Sequence, residues 1–450
     1  MIYFLAPVSY FSVWDNFFKQ FMVDKKLKII ITGDNGESLP PPYGGIMKRC
    51  LLHAKQWRQA GVQVYMHIHH KHKNEQDLDA RAEYFYDFDK PANAIDKAIF
   101  VVKNLISDPL LFVKSLLLQT KLSPQTDIVF FLYCAGRAIV LKKAIKRFKP
   151  DIIISETGGF QSLVAAEVAK RAGLKIILEN YAEIQFKQEK GGENIAAEYA
   201  PLWRYLLDKV DLIVPASRHC RLGPANYVDD SKIKVIYSGV NFDLFNGHIG
   251  RDKNVLRQKF NLPKNKFLVM AVGALRGRKG HDHLMEALLR MPAEEINQMG
   301  LVLCGMGKVD EVRQTAANLD FPKESLFIFQ GLTEESLANL YATVDCFCFP
   351  SVTPRECMGM AMKEAMSIGL PIVAYDAGGI KEAIENGQNG FLVPVGDKSS
   401  LALAIKKIKE LGVENISRIR AANIKKAGEM FDINKTSKEL LNEIIRLVNL

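Results

Sequence analysis

The feature that most constrains this chain is the rhythm of its second half. Short apolar runs rich in β-branched and aromatic residues stand at FLVMAVG (267–273), LVLCG (301–305), LFIFQG (326–331), DCFCFPS (345–351) and PIVAYDAGG (371–379). Stretches of helical period follow them, among them HDHLMEALLRM, EESLANLYATV and ECMGMAMKEAMSIG. Buried strands alternating with amphipathic helices make βα units, and these imply a parallel sheet covered on both faces. The first half repeats the pattern less regularly, with runs at KIIIT (28–32), VQVYMHI (62–68), DIIIS (151–155), KIILE (175–179), DLIVPAS (211–217) and KIKVIYSG (232–239). At 450 residues the chain is too long for one ordinary core. The expected fold is therefore α/β, with two doubly wound domains facing across a cleft. The segment 241–266, polar and glycine-bearing, has the composition of a linker between them.

Composition narrows the partners rather than the fold. The net charge of +10 and pI near 9.0 favour polyanions, anionic lipids or phosphorylated ligands. A nucleic-acid binder would also be basic, but no recognition motif or aromatic-interleaved basic strand accompanies the charge, so no nucleic acid is expected. The seven cysteines are scattered and include no CxxC pair, the pattern of reduced thiols in the cytoplasm. The amino terminus lacks the basic region and cleavage site of a signal peptide. The apolar stretch 98–119 is interrupted by Lys103, Asp108, Pro109 and Lys114, so no membrane-spanning helix is expected.

Three places carry the chemistry of a ligand site. After the strand ending at Gly273, the loop ALRGRKG places Arg276, Arg278 and Lys279 before Gly280 and a helix. Cations leaving the carboxyl end of a parallel strand suit a phosphate, although a solvated loop would look similar. In PPPYGGIMKR, Gly44 and Gly45 stand at a helix start, where backbone amides can approach an anion. In PRECMGMAMKEAMS, Glu356 lies in the loop before a helix that begins near Gly359, and Glu364 lies more than one turn inside it. The spacing sets the two carboxylates on different parts of one extended ligand, with the amides near Gly359 and Met360 between them for a diphosphate. A loop glutamate and a helix glutamate of no special role is the competing reading.

The run PSVTPRECMGMAMKEAMSIGLPIVAYDAGGIKEAIENGQNGFLVPVGD resembles the signature region of the family-4, retaining, GT-B glycosyltransferases, the group 1 glycosyltransferases, in which two glutamates are separated by seven residues. VGALRGRKG resembles their phosphate loop, and PPYGGIMKR their amino-terminal glycine loop. The resemblance implies an acceptor-side domain at 1–240, a nucleotide-sugar domain at 241–430 and a closing helix at 431–450 that crosses back onto the first domain. It assigns Glu356 to hydroxyls of the transferred sugar, Glu364 to the nucleotide ribose and Lys279 to the diphosphate. Gly44 and Gly45 would shape the floor between donor and acceptor. It implies transfer, with retention, from a nucleotide-sugar donor to a hydroxyl of a glycan or lipid-linked acceptor. No cofactor or metal is implied beyond that co-substrate. The location implied is cytoplasmic, with room for a peripheral contact on the inner face of a membrane. Two departures stand out: Ala274 replaces the usual arginine, and Asn180 and Tyr181 occupy the place of a frequent histidine. They keep open the alternative of a catalytically weak nucleotide-sugar-binding protein.

Other conspicuous groups are expected to be idle. On a strand, His67 and His69 would share one face and His70 and His72 the other, so they would not converge on a metal. The acids of DLD (77–79) and DFD (87–89) read as solvated charges in an irregular stretch. Cys357, beside Glu356, has no assigned task. The basic segments 142–149 and 97–121 suit either a membrane surface or the solvated back of a helix, and both readings stand.

Overall fold

A computed structural model describes residues 26–33, 45–70, 82–88, 92–122, 127–181, 184, 199–275, 279–353 and 356–449. Among these residues two six-stranded sheets form, and the strand pairings in both are parallel throughout. The first contains β1 (Lys28–Gly33), β2 (Gln63–His70), β3 (Glu83–Phe88), β4 (Ile152–Glu156), β5 (Lys175–Asn180) and β6 (Leu212–Pro215), in the order β3-β2-β1-β4-β5-β6. The second contains β7 (Phe267–Val272), β8 (Met299–Cys304), β9 (Leu326–Phe329), β10 (Cys346–Phe349), β11 (Ile372–Tyr375) and β12 (Gly390–Val393), in the order β12-β11-β10-β7-β8-β9. Both have the doubly wound order, which reverses direction between β1 and β4 in one sheet and between β7 and β10 in the other.

In the first half the helices are α1 (Gly45–Gln59), α2 (Ala94–Ser107), α3 (Pro109–Leu122), α4 (Ile128–Phe148), α5 (Phe160–Arg171), α6 (Ala200–Lys209) and α7 (Arg218–Arg221). In the second they are α8 (Phe242–Asn246), α9 (Lys253–Lys259), α10 (His281–Leu288), α11 (Ala293–Asn297), α12 (Val309–Asn318), α13 (Glu334–Thr343), α14 (Met360–Ser367), α15 (Lys398–Glu410), α16 (Val413–Met430) and α17 (Ile433–Val448). Each sheet divides two apolar layers because successive strand residues point to opposite faces. Ile30 joins the layer with α4 and α5, whereas Ile29 and Ile31 join the one with α1 and α17. Leu268 and Met270 pack toward α14, and Val269 and Ala271 toward α10 and α15.

The chain crosses between the domains twice, and the crossings lie side by side. The Val240 amide donates to the Phe431 carbonyl at 2.7 Å, and the Ile433 amide donates to the Val240 carbonyl at 3.0 Å. Beyond the second crossing, α17 returns to the first domain, where Leu440, Leu441 and Ile444 are buried with Leu51 and Trp57 of α1. Trp57 Nε1 donates to the Ser437 carbonyl at 3.1 Å.

Three expectations need correction. The segment 241–266 is not a free linker: α8 and α9 fold there, and Phe245 is wholly buried beside Tyr341, with a ring separation of 5.7 Å. Its apolar residues outweigh its polar composition once α13 and α14 offer a surface. The run 232–239 forms no regular strand; Ile233 makes a single bridge to Ile213, because the chain leaves the sheet edge for the crossing. Residues 83–88, read as irregular, are β3, and Asp87 is no solvated acid. Its side chain has 0% exposure and pairs with His67 at 2.8 Å, while Tyr133 donates to it at 2.6 Å. Arg137 lies 3.3 Å from the same carboxylate. The ion pair and hydrogen bonds replace the water that a buried carboxylate loses.

Ile444→Ala is expected to remove about 2–5 kcal/mol of stability. It should also speed hydrogen exchange in α17 before the sheets respond, as measured by urea unfolding and by exchange mass spectrometry.

Candidate functional site

The site is built where β7 and β10 lie side by side and their following loops part, the place at which doubly wound sheets hold ligands. Two glycines let those loops close up. Gly280 has φ +67°, and an added Cβ would stand 2.0 Å from the Pro350 carbonyl oxygen. Gly359 has φ +65°, and a Cβ there would meet the Phe349 ring at 2.3 Å. The chain turns tightly at both points, so Lys279 precedes α10 and Glu356 precedes α14 at the same sheet edge.

Lys279 Nζ donates to Glu356 Oε2 at 2.7 Å, and Ser351 Oγ donates to the same oxygen at 2.9 Å. Glu356 is 8% exposed. The Gly379 amide donates to its carbonyl at 3.0 Å, which fixes the loop against the chain after β11. Beyond it α14 begins at Met360, and Gly359 supplies no side-chain cap to its first amides. An uncapped helix start carries partial positive charge and unpaired donors.

Glu364 lies within α14 and has a separate set of partners. Tyr341 Oη donates to its Oε2 at 3.0 Å, and Lys48 of the first domain pairs with its Oε1. Lys48 also reaches Glu334 at 3.0 Å. Burial works against the charge on Lys48, but Glu364 and Glu334 overcome it and raise the pKa above the ordinary lysine value. Among the described residues the two glutamates therefore have separate partners. Gly45, at the head of α1, comes from across the cleft: a Cβ there would lie 3.7 Å from Met360 Cγ. The structure thus brings together Lys279, Glu356, Gly359, Met360, Glu364 and Gly45. Gly44, Arg276 and Arg278 lie outside the described residues, as does His72.

At the departures the surroundings are filled. The Ala274 carbonyl accepts from His281 Nε2 at 3.3 Å. Asn180 is wholly buried, and its Nδ2 donates to the Cys220 carbonyl at 2.9 Å. Tyr181 Oη donates to Glu156, with Glu179 Oε2 at 3.3 Å. His67 and His69 both approach Asp87, and among the described residues no acid, histidine and cysteine side chains group as a metal site.

Sequence reasoning missed the first-domain half of this floor. Arg49 follows Lys48 on α1 and points the other way, into a buried pair with Glu179 at the end of β5. Burial raises the Glu156 carboxyl well above its usual range, and the neighbouring Glu179 adds to this. Burial also pushes Glu179 up, but Arg49 together with the hydrogen bonds from Glu156 and Tyr181 and the nearby His53 outweighs it and holds that carboxyl below its usual value. The two neighbouring carboxyls are thus pushed in opposite directions. Adjacent basic residues on a helix gave no signal of opposite destinations, because their partners are more than a hundred residues away.

Against this geometry the comparisons are specific. Residues 252–429 match the family model described as glycosyl transferases group 1. The segment that carries Lys279, Glu356 and Glu364 is thus similar to the group 1 glycosyltransferases. Over 307 residues it is 27% identical to the putative glycosyltransferase EpsD of Bacillus subtilis, covering 65% of this chain and 78% of that one. Over 267 residues it is 29% identical to the sulfoquinovosyl transferase SQD2 of Arabidopsis thaliana, covering 56% of this chain and 48% of that one. The chain has a GT-B fold, similar to sucrose-phosphate synthase of Thermosynechococcus elongatus (TM-score 0.72, 16% identity, 94% and 99% of the two chains). It is likewise similar to Anabaena HepE, solved with UDP-glucose (TM-score 0.71, 19% identity, 93% and 100% of the two chains).

One prediction concerns His53, which joins α1 to α17. Its Nδ1–H donates to Ser437 Oγ at 2.9 Å, and its Nε2 accepts from Arg49 at 3.2 Å. Burial and the adjacent Arg49 lower its pKa to about 3. The folded protein thus holds His53 neutral while the unfolded chain takes up a proton below its ordinary value of 6.5. The stabilisation is complete above that pH and is lost as the pH falls toward 3. His53→Gln should flatten the decline by up to about 1.4 kcal/mol per pH unit. Urea unfolding of both proteins between pH 7 and pH 5 would read the difference, leaving other buried histidines in common.

Proposed function

We propose that the chain transfers a glycosyl group from a nucleotide-diphosphate sugar to a hydroxyl of a glycan or lipid-linked acceptor, with retention at the anomeric carbon. The observation that carries this reading is the Lys279–Glu356 pair, 2.7 Å apart beside the uncapped start of α14. A cation and unpaired amides at one sheet edge suit a diphosphate whose negative charge grows as the sugar leaves. Glu356 accepts hydroxyls of the transferred sugar, and Lys279 lies close enough to turn from that carboxylate to the phosphates. Glu364 accepts from the ribose, a role in which Tyr341 and Lys48 already hold its carboxylate in place. Gly44 and Gly45 leave room for acceptor and sugar to meet, and Arg276 or Arg278 supplies the cation that Ala274 lacks. HepE bound UDP-glucose in its crystals, which supports a donor of this class. Retention rests on the resemblance of the two-glutamate region. The scheme calls on no cofactor apart from the donor.

A second reading is binding without efficient turnover, favoured by Ala274 and by the hydrogen bonds that occupy Asn180 and Tyr181. Thermal shifts with UDP-, GDP-, ADP-, CMP- and dTDP-sugars, with and without EDTA, are the direct test. One nucleotide class is expected to stabilise the protein regardless of EDTA, and the absence of a shift with every donor would sink the proposal. Once a donor is found, sugar release distinguishes turnover from binding alone. Glu356→Gln is then expected to lower kcat by more than it weakens donor binding. Glu364→Ala should chiefly weaken binding, by roughly tenfold for the lost charged hydrogen bonds. Equal losses of both quantities in both variants would refute this division of roles.

A further inference from the structure

Helices α2 and α3 carry their aliphatic residues on the wrong side for a pair that serves only the core. In α2, Ile95, Ile99, Val102 and Ile106 recur at helical spacing and are 70%, 58%, 53% and 74% exposed. The inward positions include Asn104, only 4% exposed, whose amide donates back to the Phe100 carbonyl at 2.9 Å. In α3, Leu110, Val113 and Leu117 are exposed, while Ser115 and Gln119 occupy buried positions. Gln119 Nε2 donates to the carbonyls of Ser115 at 3.0 Å and Phe131 at 3.1 Å, so this arrangement is anchored by hydrogen bonds. Single exposed aliphatics are ordinary, but eight on two neighbouring helices, Leu105 included, mark a contact surface.

We infer that the consecutive helices α2 and α3 dock on the surface of an anionic lipid bilayer. Four exposed lysines, Lys97, Lys103, Lys114 and Lys121, are interleaved with the aliphatic residues. Of the nearby acids, Asp96 caps α2 together with Asn93, and Asp108 pairs with Lys142. Aliphatic side chains entering the acyl boundary beside lysines at the headgroups is the pattern of a helix lying in the membrane plane. A second copy of the chain would set the same lysines against one another, which disfavours self-association. Each helix has 14 residues, about 21 Å at the usual rise, too short for a hydrocarbon core of about 30 Å. Among the described residues no helix is long and apolar enough to cross a membrane. The surface lies on the outer helices of the first domain, and the inference does not depend on the donor site.

The test is flotation of the full chain with vesicles of phosphatidylcholine, alone or mixed with phosphatidylglycerol. The protein is expected to float with the mixed vesicles and far less with the neutral ones. Ile99→Asp with Leu117→Asp, and separately Lys97→Glu with Lys114→Glu, should each lower the bound fraction by roughly tenfold. Thermal stability and any donor-induced shift should stay as in the parent. The inference is overturned if the parent fails to float with either vesicle, if anionic lipid makes no difference, or if both double variants bind as well as the parent. It is also overturned if light scattering finds a dimer that Ile99→Asp with Leu117→Asp converts to a monomer while no vesicle binding is seen.

Discussion

The arrangement of the whole molecule depends on two strands of backbone passing side by side between the domains. Val240 is hydrogen-bonded on one side to Phe431 and on the other to Ile433. Gly239 lies so close that a Cβ would come within 2.6 Å of the Ile433 backbone. Two crossings tied together restrict the domains more than one flexible connection would, and α17 then secures the result by burying its apolar face in the first domain. Lys363 adds a buried link from α14, donating to the Ser238 carbonyl at 2.9 Å just before the first crossing. Burial lowers its pKa to about 8. The helix that carries Glu364 is therefore fixed to the joint itself.

From that joint the two halves of the site face each other through α1 and α14. Successive residues of α1 serve opposite sides: Lys48 meets Glu364 across the cleft, and Arg49 meets Glu179 beneath it. The second pair is wholly buried and would be costly alone, since ions lose hydration when enclosed. Burial and the neighbouring Glu179 push the Glu156 carboxyl toward its neutral form, which eases the crowding of negative charge opposite one guanidinium. The first pair bridges the domains, so the same carboxylate that is proposed to receive ribose also contributes to holding the cleft together.

Much of this was legible in the chain. The apolar runs located ten of the twelve strands, and the loops at Lys279 and Glu356 stood out because glycine, charge and strand end coincide within a few residues, whereas the paired glycines before the first helix were a weak signal. What escaped was decided by distant partners. EYFYDF lacks a clean apolar alternation, yet it pairs with β2 because Asp87 finds His67, Tyr133 and Arg137. Leu326–Phe329 and Gly390–Val393 both close sheet edges, but only the first has an uninterrupted apolar run. The surface of α2 and α3 was ambiguous for a similar reason, since an apolar stripe in sequence does not say which way it turns.

The sequence by itself determined the class of fold and the kind of loop at each strand end, because strand periodicity, glycine freedom and charge are local properties. It also placed Glu356 and Glu364 on a loop and on a helix, where they could not act as a close pair. Only the tertiary structure decided that Lys48 and Arg49 part company, that Asp87 is buried, and that the aliphatic faces of α2 and α3 look outward. Those outcomes depend on which residues meet after long stretches of chain have folded back, and no local pattern encodes the meeting.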